Sequence, residues 1–170
     1  MSLKGDNTCT EIRSAPISSY IFVIVLCVTM CVLIVTKHSP IYPVIVNGDS
    51  MESTLHDSDR GLVFTFADID RYDIIVCNAC IGGENTLIIK RVIGLPGDTV
   101  ECKGHVLLVN GDPAVDFAKD PDMNTDFDKV TVPSGSYFVM GDNREVSLDS
   151  RYAEVGFISR ASVTGVFHKV

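Results

Sequence analysis

Three short segments of the chain carry residue types from which a hydrolytic site could be built. Ser50 follows a turn, Lys90 interrupts the β-branched run LIIKRVIG (87–94), and a dense polar loop occupies residues 141–151. A serine hydroxyl is a poor nucleophile without a nearby base. A lysine can be that base only when it is neutral, and so its pKa must lie well below the ordinary value of about 10.4. Ser50 and Lys90 are therefore candidates for a nucleophile and its base.

The neighbours of Lys90 are suited to lowering its pKa. Ile88, Ile89 and Val92 are aliphatic, and burial among such side chains disfavours a charged ammonium group. Because successive residues of a strand point to opposite faces, we expect Arg91 to point to solvent if Lys90 points inward. The alternative is that the side chain of Lys90 lies along the surface and extends its ammonium group to water.

The polar loop 141–151 offers groups that could orient such a lysine. The hydroxyl of Ser147 could accept a hydrogen bond from Lys90 without stabilising its charge as a carboxylate would. Asp149 and Arg151 could pair and hold the loop in place. The alternative for this loop is an ordinary solvated turn.

A Ser-His-Asp triad is a poorer interpretation of the same sequence. Of the four histidines, only His56 follows Ser50 closely; the others lie beside the apolar N-terminal segment, in a hairpin and near the end of the chain. No histidine–aspartate arrangement has a better claim than the serine–lysine pair.

Short β-type runs alternate with turns after residue 40. Gly82-Gly83 and Lys103-Gly104 are typical turn sequences. Helical periodicity is weak in this part, and so we predict a mostly β, antiparallel domain. The predicted strands are Tyr42–Val46, Arg60–Phe66, Tyr72–Cys77, Thr86–Gly94, Thr99–Cys102, His105–Val109, Lys129–Val132, Tyr137–Met140 and Ser162–His168.

Residues 14–36 contain no charged side chain, and from Tyr20 to Val35 the run is almost purely aliphatic. At about 1.5 Å per residue, the roughly 20 residues from Ile17 to Thr36 would span about 30 Å, the thickness of a bilayer core. A buried core helix would show a polar face, and a cleaved signal peptide would end at a small-residue cleavage site that is missing here. We therefore predict a retained transmembrane anchor over residues 14–36.

The charges on either side of this segment predict its orientation. Lys4 and Arg13 precede it, whereas Lys37 is followed by no further lysine or arginine until Arg60. This mildly favours a cytoplasmic tail over residues 1–13 and an extracytoplasmic domain over residues 37–170. The chain has a net charge of −8, all of it within that domain, which argues against nucleic-acid binding.

Two patterns in the predicted domain resemble metal sites. Cys77 with Cys80, and Cys102 with His105, have the spacing of zinc-ribbon ligands. Because such a site is unusual in an exported domain, we expect free thiols or a local disulfide, and we expect no metal and no cofactor.

The acidic segment 110–128 has a spacing similar to that of a calcium loop. The sixth position of that pattern is Thr125 rather than glycine, and the twelfth is Thr131 rather than glutamate. We therefore expect a solvated loop. The alternating residues are Asp120, Asp122, Asn124, Asp126 and Asp128.

Taken together, the three segments resemble the boxes of the type I signal peptidase family, whose members remove signal peptides from exported proteins. The family's serine box typically reads SMxPTL, and residues 50–55 read SMESTL. Its lysine box reads KRVIGLPGD, which residues 90–98 match without a change, and its last box reads GDNRxxSxDSR, which residues 141–151 match. The boxes stand in the family's order, the resemblance covers residues 14–151, and the single anchor and short insert are similar to Gram-positive members.

The resemblance implies a fold and a set of roles. The fold would be a coiled, antiparallel β-sheet catalytic core, related to that of self-cleaving Ser/Lys repressors, behind one N-terminal transmembrane helix. Ser50 would be the nucleophile, with its backbone N–H in the oxyanion hole, and Lys90 the general base. Ser147 would position Lys90, and Asp149 and Arg151 would form a structural pair. The shallow apolar substrate pocket, which accepts small residues, would be lined by Val44, Val46, Met51, Leu55 and Ile89.

The chain departs from the family pattern at three places. Ser53 replaces the usual proline, so that the turn after the nucleophile is expected to be less rigid. Gly48 stands where some members carry a second oxyanion hydroxyl, so backbone donors must suffice or a water molecule must help. Gly156 follows the last box two residues later than is usual.

The implied function is removal of signal peptides from exported preproteins, with cleavage after Ala-x-Ala sites. The partners would be these preproteins and membrane lipid, the enzyme would work near the protein export channel, and nucleic acid would not bind. One alternative is a catalytically silent relative that acts as a scaffold or pilus-assembly chaperone, although both Ser50 and Lys90 are present. A soluble self-cleaving repressor is opposed by the anchor and by the acidic charge.

Overall fold

The computed structural model describes residues 17–37 and 40–170, which belong to two separate compact units, Met1–Ser39 and Pro40–Val170. The predicted tail 1–13 and residues 14–16 of the predicted anchor lie outside the described residues. In the first unit, a single helix, α1, runs from Ile17 to Lys37, and its described large apolar side chains are exposed. Within residues 17–37 and 40–170, no helix was found to have the length and hydropathy of a membrane span.

The second unit consists almost entirely of short strands. They are β1 (Ile41–Ile45), β2 (Arg60–Phe64), β3 (Ile74–Ile81), β4 (Glu84–Gly94), β5 (Thr99–Lys103), β6 (Val106–Val109), β7 (Asp112–Pro113), β8 (Phe127–Thr131), β9 (Ser136–Met140), β10 (Ile158–Ser159) and β11 (Val163–Lys169). Two 3₁₀ turns, Pro121–Met123 and Arg160–Ser162, complete it.

The strands form two antiparallel sheets. A seven-stranded sheet has the order β1-β2-β11-β3-β4-β9-β10, and a four-stranded sheet has the order β7-β6-β5-β8. Every strand pair is antiparallel. The prediction of a mostly β, antiparallel domain is confirmed.

The β3–β4 hairpin carries the lysine of the predicted pair. Gly82 and Gly83 turn the chain with φ of +61° and +86°, a region that glycine adopts without steric cost. The strands pair from Ile81 opposite Glu84 to Ile74 opposite Arg91, which places Lys90 opposite Ile75. The predicted strands were too short at this turn, because the exposed polar residues near it weaken the pattern of buried residues that marks a strand.

The two faces of β4 contact different parts of the core. Val92 belongs to an apolar cluster with Ile75 and Cys77, whereas Ile93 belongs to a second cluster with residues of β5, β6 and β9. The strand is therefore covered on both faces, as is typical of a central strand with a nearly continuous apolar sequence. This double coverage decides the environment of both Lys90 and Arg91.

Candidate active site

Ser50 lies on a turn between β1 and β2. Two apolar side chains next to the serine fix this turn by packing into the core. Met51 and Leu55 are each 1% exposed and pack with Val46 and Phe167. The N–H groups of Thr54 and Leu55 both donate to the carbonyl of Met51, which closes a tight turn immediately after the serine. The serine is thereby held at the surface by a turn whose anchors are in the core.

Lys90 points into the protein and contacts the serine. Its side chain is 4% exposed, and its Nζ donates a hydrogen bond to Ser50 Oγ at 2.6 Å. Burial lowers the pKa of Lys90 below its ordinary value, and this outweighs the opposing influence of the nearby Asp149 carboxylate. A lysine that has lost its proton at this place can accept the proton of the serine hydroxyl.

The last polar loop supports the pair through a buried carboxylate. Asp149 is 0% exposed and accepts hydrogen bonds from the hydroxyl of Ser147 at 2.7 Å, from the N–H of Gly141 at 2.9 Å and from Nε of Arg151 at 2.8 Å. Asp149 and Arg151 thus form a close ion pair. The loop is an ordered structure and not a solvated turn.

The hydroxyl of Ser147 binds Asp149 and not the predicted partner, Lys90. Among the residues that the structure describes, no hydrogen bond joins Ser147 to Lys90, and the hydroxyl of Ser147 donates to Asp149 instead. Ser147 nevertheless lies close to the serine turn, since a side chain at Gly141 would overlap both Ser147 Oγ and the carbonyl oxygen of Ser50. The hydroxyl of Ser147 thus donates to a carboxylate, which is a strong acceptor, while Lys90 donates to Ser50 Oγ.

Asn143 holds the serine turn and was missed by the sequence analysis. Its N–H donates to the carbonyl of Ser50 at 3.1 Å, and its Nδ2 donates to the carbonyl of Asp49 at 3.1 Å. The available signal was its place in the GDN sequence of the last box. An amide side chain and a backbone N–H that bind adjacent carbonyls fix the position of the Ser50 backbone.

The expectation that Arg91 points to solvent is wrong. Its side chain is buried, and its Nη2 lies 2.6 Å from Asp142 Oδ2 while its Nε donates to Oδ1 at 2.9 Å. Thr54 also donates to Asp142 Oδ2, at 2.5 Å. The physical reason is the double coverage of β4: the ring of Phe117 covers the guanidinium at 3.9 Å. Residues of all three sequence segments thus meet in one buried network.

A groove of about 450 Å³ opens beside Ser50 and Lys90. Val44, Val46 and Ile89 line it, as the resemblance implies, together with Val76 and residues 86–88 of β4. Met51 and Leu55 do not line it, because their side chains point into the core and anchor the turn. That part of the predicted pocket is corrected.

The structure places the two cysteine patterns of the candidate zinc site in different sheets. Cys77 lies in β3 of the larger sheet and Cys102 in β5 of the smaller one, and both are buried free thiols. In the described part of the chain, no group of three or more histidine, cysteine, aspartate or glutamate residues is arranged to hold a metal ion.

The acidic segment 110–128 is not a fully solvated loop, since Asn124 is buried and Asp126 accepts hydrogen bonds from the N–H groups of Gly104 and His105.

Comparison with known protein families identifies the family of this chain. The family model described as signal peptidase, peptidase S26, matches residues 17–170. The chain belongs to the signal peptidase S26 family. It is accordingly an enzyme of the signal peptidase I type, a serine endopeptidase.

Individual relatives agree with this assignment. The chain is 36% identical to a signal peptidase I of Bacillus amyloliquefaciens over 96% of its own length and 91% of the relative's. It is 38% identical to signal peptidase I S of Bacillus subtilis, covering 84% of this chain and 82% of that protein. The crystal structure of a signal peptidase I from Enterococcus faecalis is similar with a TM-score of 0.51 and 37% identity, over 59% of this chain and 97% of that one.

Proposed function

We propose that the chain is a membrane-anchored signal peptidase that cuts exported preproteins after small residues by means of a Ser50–Lys90 pair. The observation that carries this proposal is the 2.6 Å hydrogen bond between buried Lys90 Nζ and Ser50 Oγ at the end of an apolar groove. A base must lie within about 2.6–3.2 Å of the proton that it accepts. The distance between Lys90 Nζ and Ser50 Oγ lies within this range. The lowered pKa of Lys90 favours the neutral amine, which is the form that can accept a proton.

The reaction proceeds through an acyl-enzyme. Neutral Lys90 accepts the Ser50 proton while Oγ attacks the carbonyl carbon of the scissile bond, and it then donates the proton to the departing amine. Lys90 next removes a proton from the water molecule that hydrolyses the ester on Ser50. Lys90 gives the first proton to the departing amine as the amide bond breaks. It gives the second proton to Ser50 Oγ as the ester is hydrolysed, which regenerates the serine.

The developing oxyanion needs backbone donors, because Gly48 has no hydroxyl to offer. Among the hydrogen bonds of residues 17–37 and 40–170, none occupies the N–H of Ser50. A free N–H beside the nucleophile is the type of donor that stabilises a tetrahedral intermediate. We assign this role to Ser50 N–H.

The groove supports binding of an extended peptide with small side chains. β1 is the outer strand of the larger sheet and leads to Ser50, and a substrate strand can add to a sheet at such a position. Val44, Val46 and Ile89 give the groove an aliphatic lining close to Ser50. An apolar lining of this kind supports the proposed cleavage after Ala-x-Ala, in which two alanines flank one intervening residue.

We further propose that α1 belongs to a transmembrane anchor over residues 14–36, with a cytoplasmic tail and an extracytoplasmic catalytic domain that works near the export channel. The support is the sequence, which has no charge over residues 14–36 and places Lys4 and Arg13 before it. An anchor would confine enzyme and substrate to the same bilayer and raise their effective concentration.

The test is cleavage of a vesicle-presented preprotein with an Ala-x-Ala site. Ser50→Ala and Lys90→Ala should each lower kcat by at least about 10³-fold, as removal of a nucleophile or its base does. The matched controls are Ser53→Ala in the same turn and Lys103→Ala on the exposed end of β5, which should retain activity. A wild-type protein that is inert, with variants indistinguishable from it, would instead support the scaffold alternative.

A further inference from the structure

The segment Asp116–Lys119, hereafter the bridging segment, lies between β7 and the first 3₁₀ turn and has no regular secondary structure. It belongs to the region that the sequence describes only as acidic. In the structure, three of its four residues contact the three sequence segments that build the active site. It is the contacts of this segment, rather than its charge, that indicate a function.

Asp116 binds the last box. Its Oδ1 accepts a hydrogen bond from Nη2 of Arg144 at 2.7 Å, and the Arg144 side chain is fully buried. Asn124 also donates to Asp116 Oδ2, at 2.7 Å, and accepts from Arg144 Nη1. A buried guanidinium must be paired, and so Asp116 determines where Arg144 can lie.

Arg144 transmits this position to the nucleophile. Its Nε donates to the carbonyl of Gly141 at 3.0 Å, which fixes the start of the turn whose next residues bind the serine segment. The N–H of Asn143, directly before Arg144, donates to the carbonyl of Ser50. One short chain of contacts therefore runs from Asp116 through Arg144 and Asn143 to Ser50.

The other residues of the bridging segment reach the remaining boxes. The N–H of Lys119 donates to the carbonyl of Asp142 at 2.8 Å, and its Nζ donates to Glu52 Oε2 at 2.6 Å, two residues after Ser50. Phe117 covers the guanidinium of Arg91, the residue next to Lys90. The segment thus contacts the serine box, the lysine box and the last box together.

We infer that Asp116, Phe117 and Lys119 are positioning residues, which hold the Ser50 turn and the Lys90 strand in their reactive geometry. The inference rests on the proposed function of Ser50 and Lys90. None of the three residues lines the groove beside Ser50, so their effect falls on the chemical step and not on peptide binding. A displacement of about 1 Å between reacting groups can lower a rate by about 100-fold.

The first test compares Asp116→Asn with Asp122→Asn in the full-length protein. Asp122 lies on the exposed 3₁₀ turn of the same acidic region. For Asp116→Asn we expect kcat per folded molecule to fall about tenfold with KM within twofold, and acylation of Ser50 by a small activated ester to slow by the same factor. Asp116→Glu, which keeps the charge, should recover part of the rate, and Asp122→Asn should match wild type.

The second test exchanges the charges of Lys119 and Glu52, whose side chains are 50% and 27% exposed. Because the double variant restores the ion pair, its recovery separates the effect of the pair from a loss of folding. Lys119→Glu should lower kcat severalfold because it places a carboxylate beside Glu52, and the double variant Glu52→Lys with Lys119→Glu should recover it to within twofold. The inference is overturned if Asp116→Asn lowers only the unfolding midpoint while kcat per folded molecule stays unchanged, or if the charge exchange gives no recovery. A failure of the dyad proposal is distinguishable, since it would show as wild-type cleavage that does not depend on Ser50.

Discussion

At the scale of the residue, the proposed mechanism requires Lys90 to be buried enough to lose its proton and yet close enough to Ser50 to take one. Burial lowers its pKa, whereas the carboxylate of Asp149 acts in the opposite direction. Ser147 and Arg151 both bind Asp149, and Arg151 carries a compensating positive charge. The pairing of Asp149 with Arg151 therefore limits how far that carboxylate can stabilise a charged Lys90.

The pH dependence of the rate follows from this shift. Since the active form of Lys90 is neutral, kcat/KM of the folded enzyme should fall as the pH is lowered through the reduced pKa of Lys90, by up to tenfold per pH unit below it. Lys90→Arg should remove the activity, because an arginine at this position stays charged. The measurement is a pH–rate profile on a peptide substrate, corrected for the folded fraction, and a flat profile from about pH 9 to 5 would contradict the role of Lys90.

The buried pair of Arg91 and Asp142 is expected to matter for stability. In Asp142→Asn, the guanidinium of Arg91 would remain buried without its charged partner, which typically costs about 3–5 kcal/mol. We expect the free energy of unfolding, measured by urea denaturation in detergent, to fall by about that amount. The control is Asp128→Asn on the exposed side of β8, for which a similar loss would show that the pair is not the cause.

At the scale of the element, the site depends on where two strands end and on the turns that follow them. β1 leads into the Ser50 turn, and β9 leads into the last polar loop through Gly141. The two turns contact each other so closely at Gly141 that only a residue without a side chain fits. Register along β4 then brings Lys90 to the same point.

Gly141→Ala should therefore damage catalysis more than folding. The added methyl group would overlap Ser147 Oγ and the Ser50 carbonyl, so we expect kcat to fall about 100-fold or more. Gly165→Ala in β11 is the matched control, since its methyl group would also overlap a backbone carbonyl, that of Phe64, away from Ser50. Gly165→Ala should lower stability by about 1–3 kcal/mol and leave kcat per folded molecule unchanged. Equal effects of both variants on kcat would argue against close contact at Gly141 as the cause.

At the scale of the whole molecule, the chain divides its apolar residues between two different uses. In the unit Pro40–Val170 they form three buried clusters between and beside the sheets. In α1 the described large apolar side chains are exposed, and they include Phe22, Val28 and Ile34. In the proposed anchor, these exposed side chains would contact the hydrocarbon core of the bilayer.

A charge at the centre of α1 tests the proposed anchor. Val28→Arg should lower insertion into phospholipid vesicles by roughly 100-fold, because an arginine at the centre of a spanning helix costs about 2.5–3.5 kcal/mol. Cleavage of a soluble peptide should be unchanged, since the described residues that line the groove lie between Val44 and Lys90. Val170→Arg, at another exposed valine, is the control and should remain with the vesicles after an alkaline wash. Retention of Val28→Arg under the same wash would contradict the anchor.

The sequence by itself determined the features that depend on neighbouring residues. The strands, their turns and the choice of Ser50 and Lys90 could be predicted because alternation, turn chemistry and the box sequences are local patterns. The family resemblance implied that Val44, Val46 and Ile89 line the groove; Val44 and Ile89 lie on strands, and Val46 directly follows β1.

The tertiary structure alone decided which surfaces meet. Arg91 was expected at solvent because alternation along a strand gives only the opposite face, and Phe117, 26 positions later in the chain, covers that face. Met51 and Leu55 are apolar in either role, and only packing shows that they anchor the turn instead of lining the groove. Asn143 and Asp116 act through hydrogen bonds to residues far away in sequence, and a sequence does not show such distances until the chain is folded.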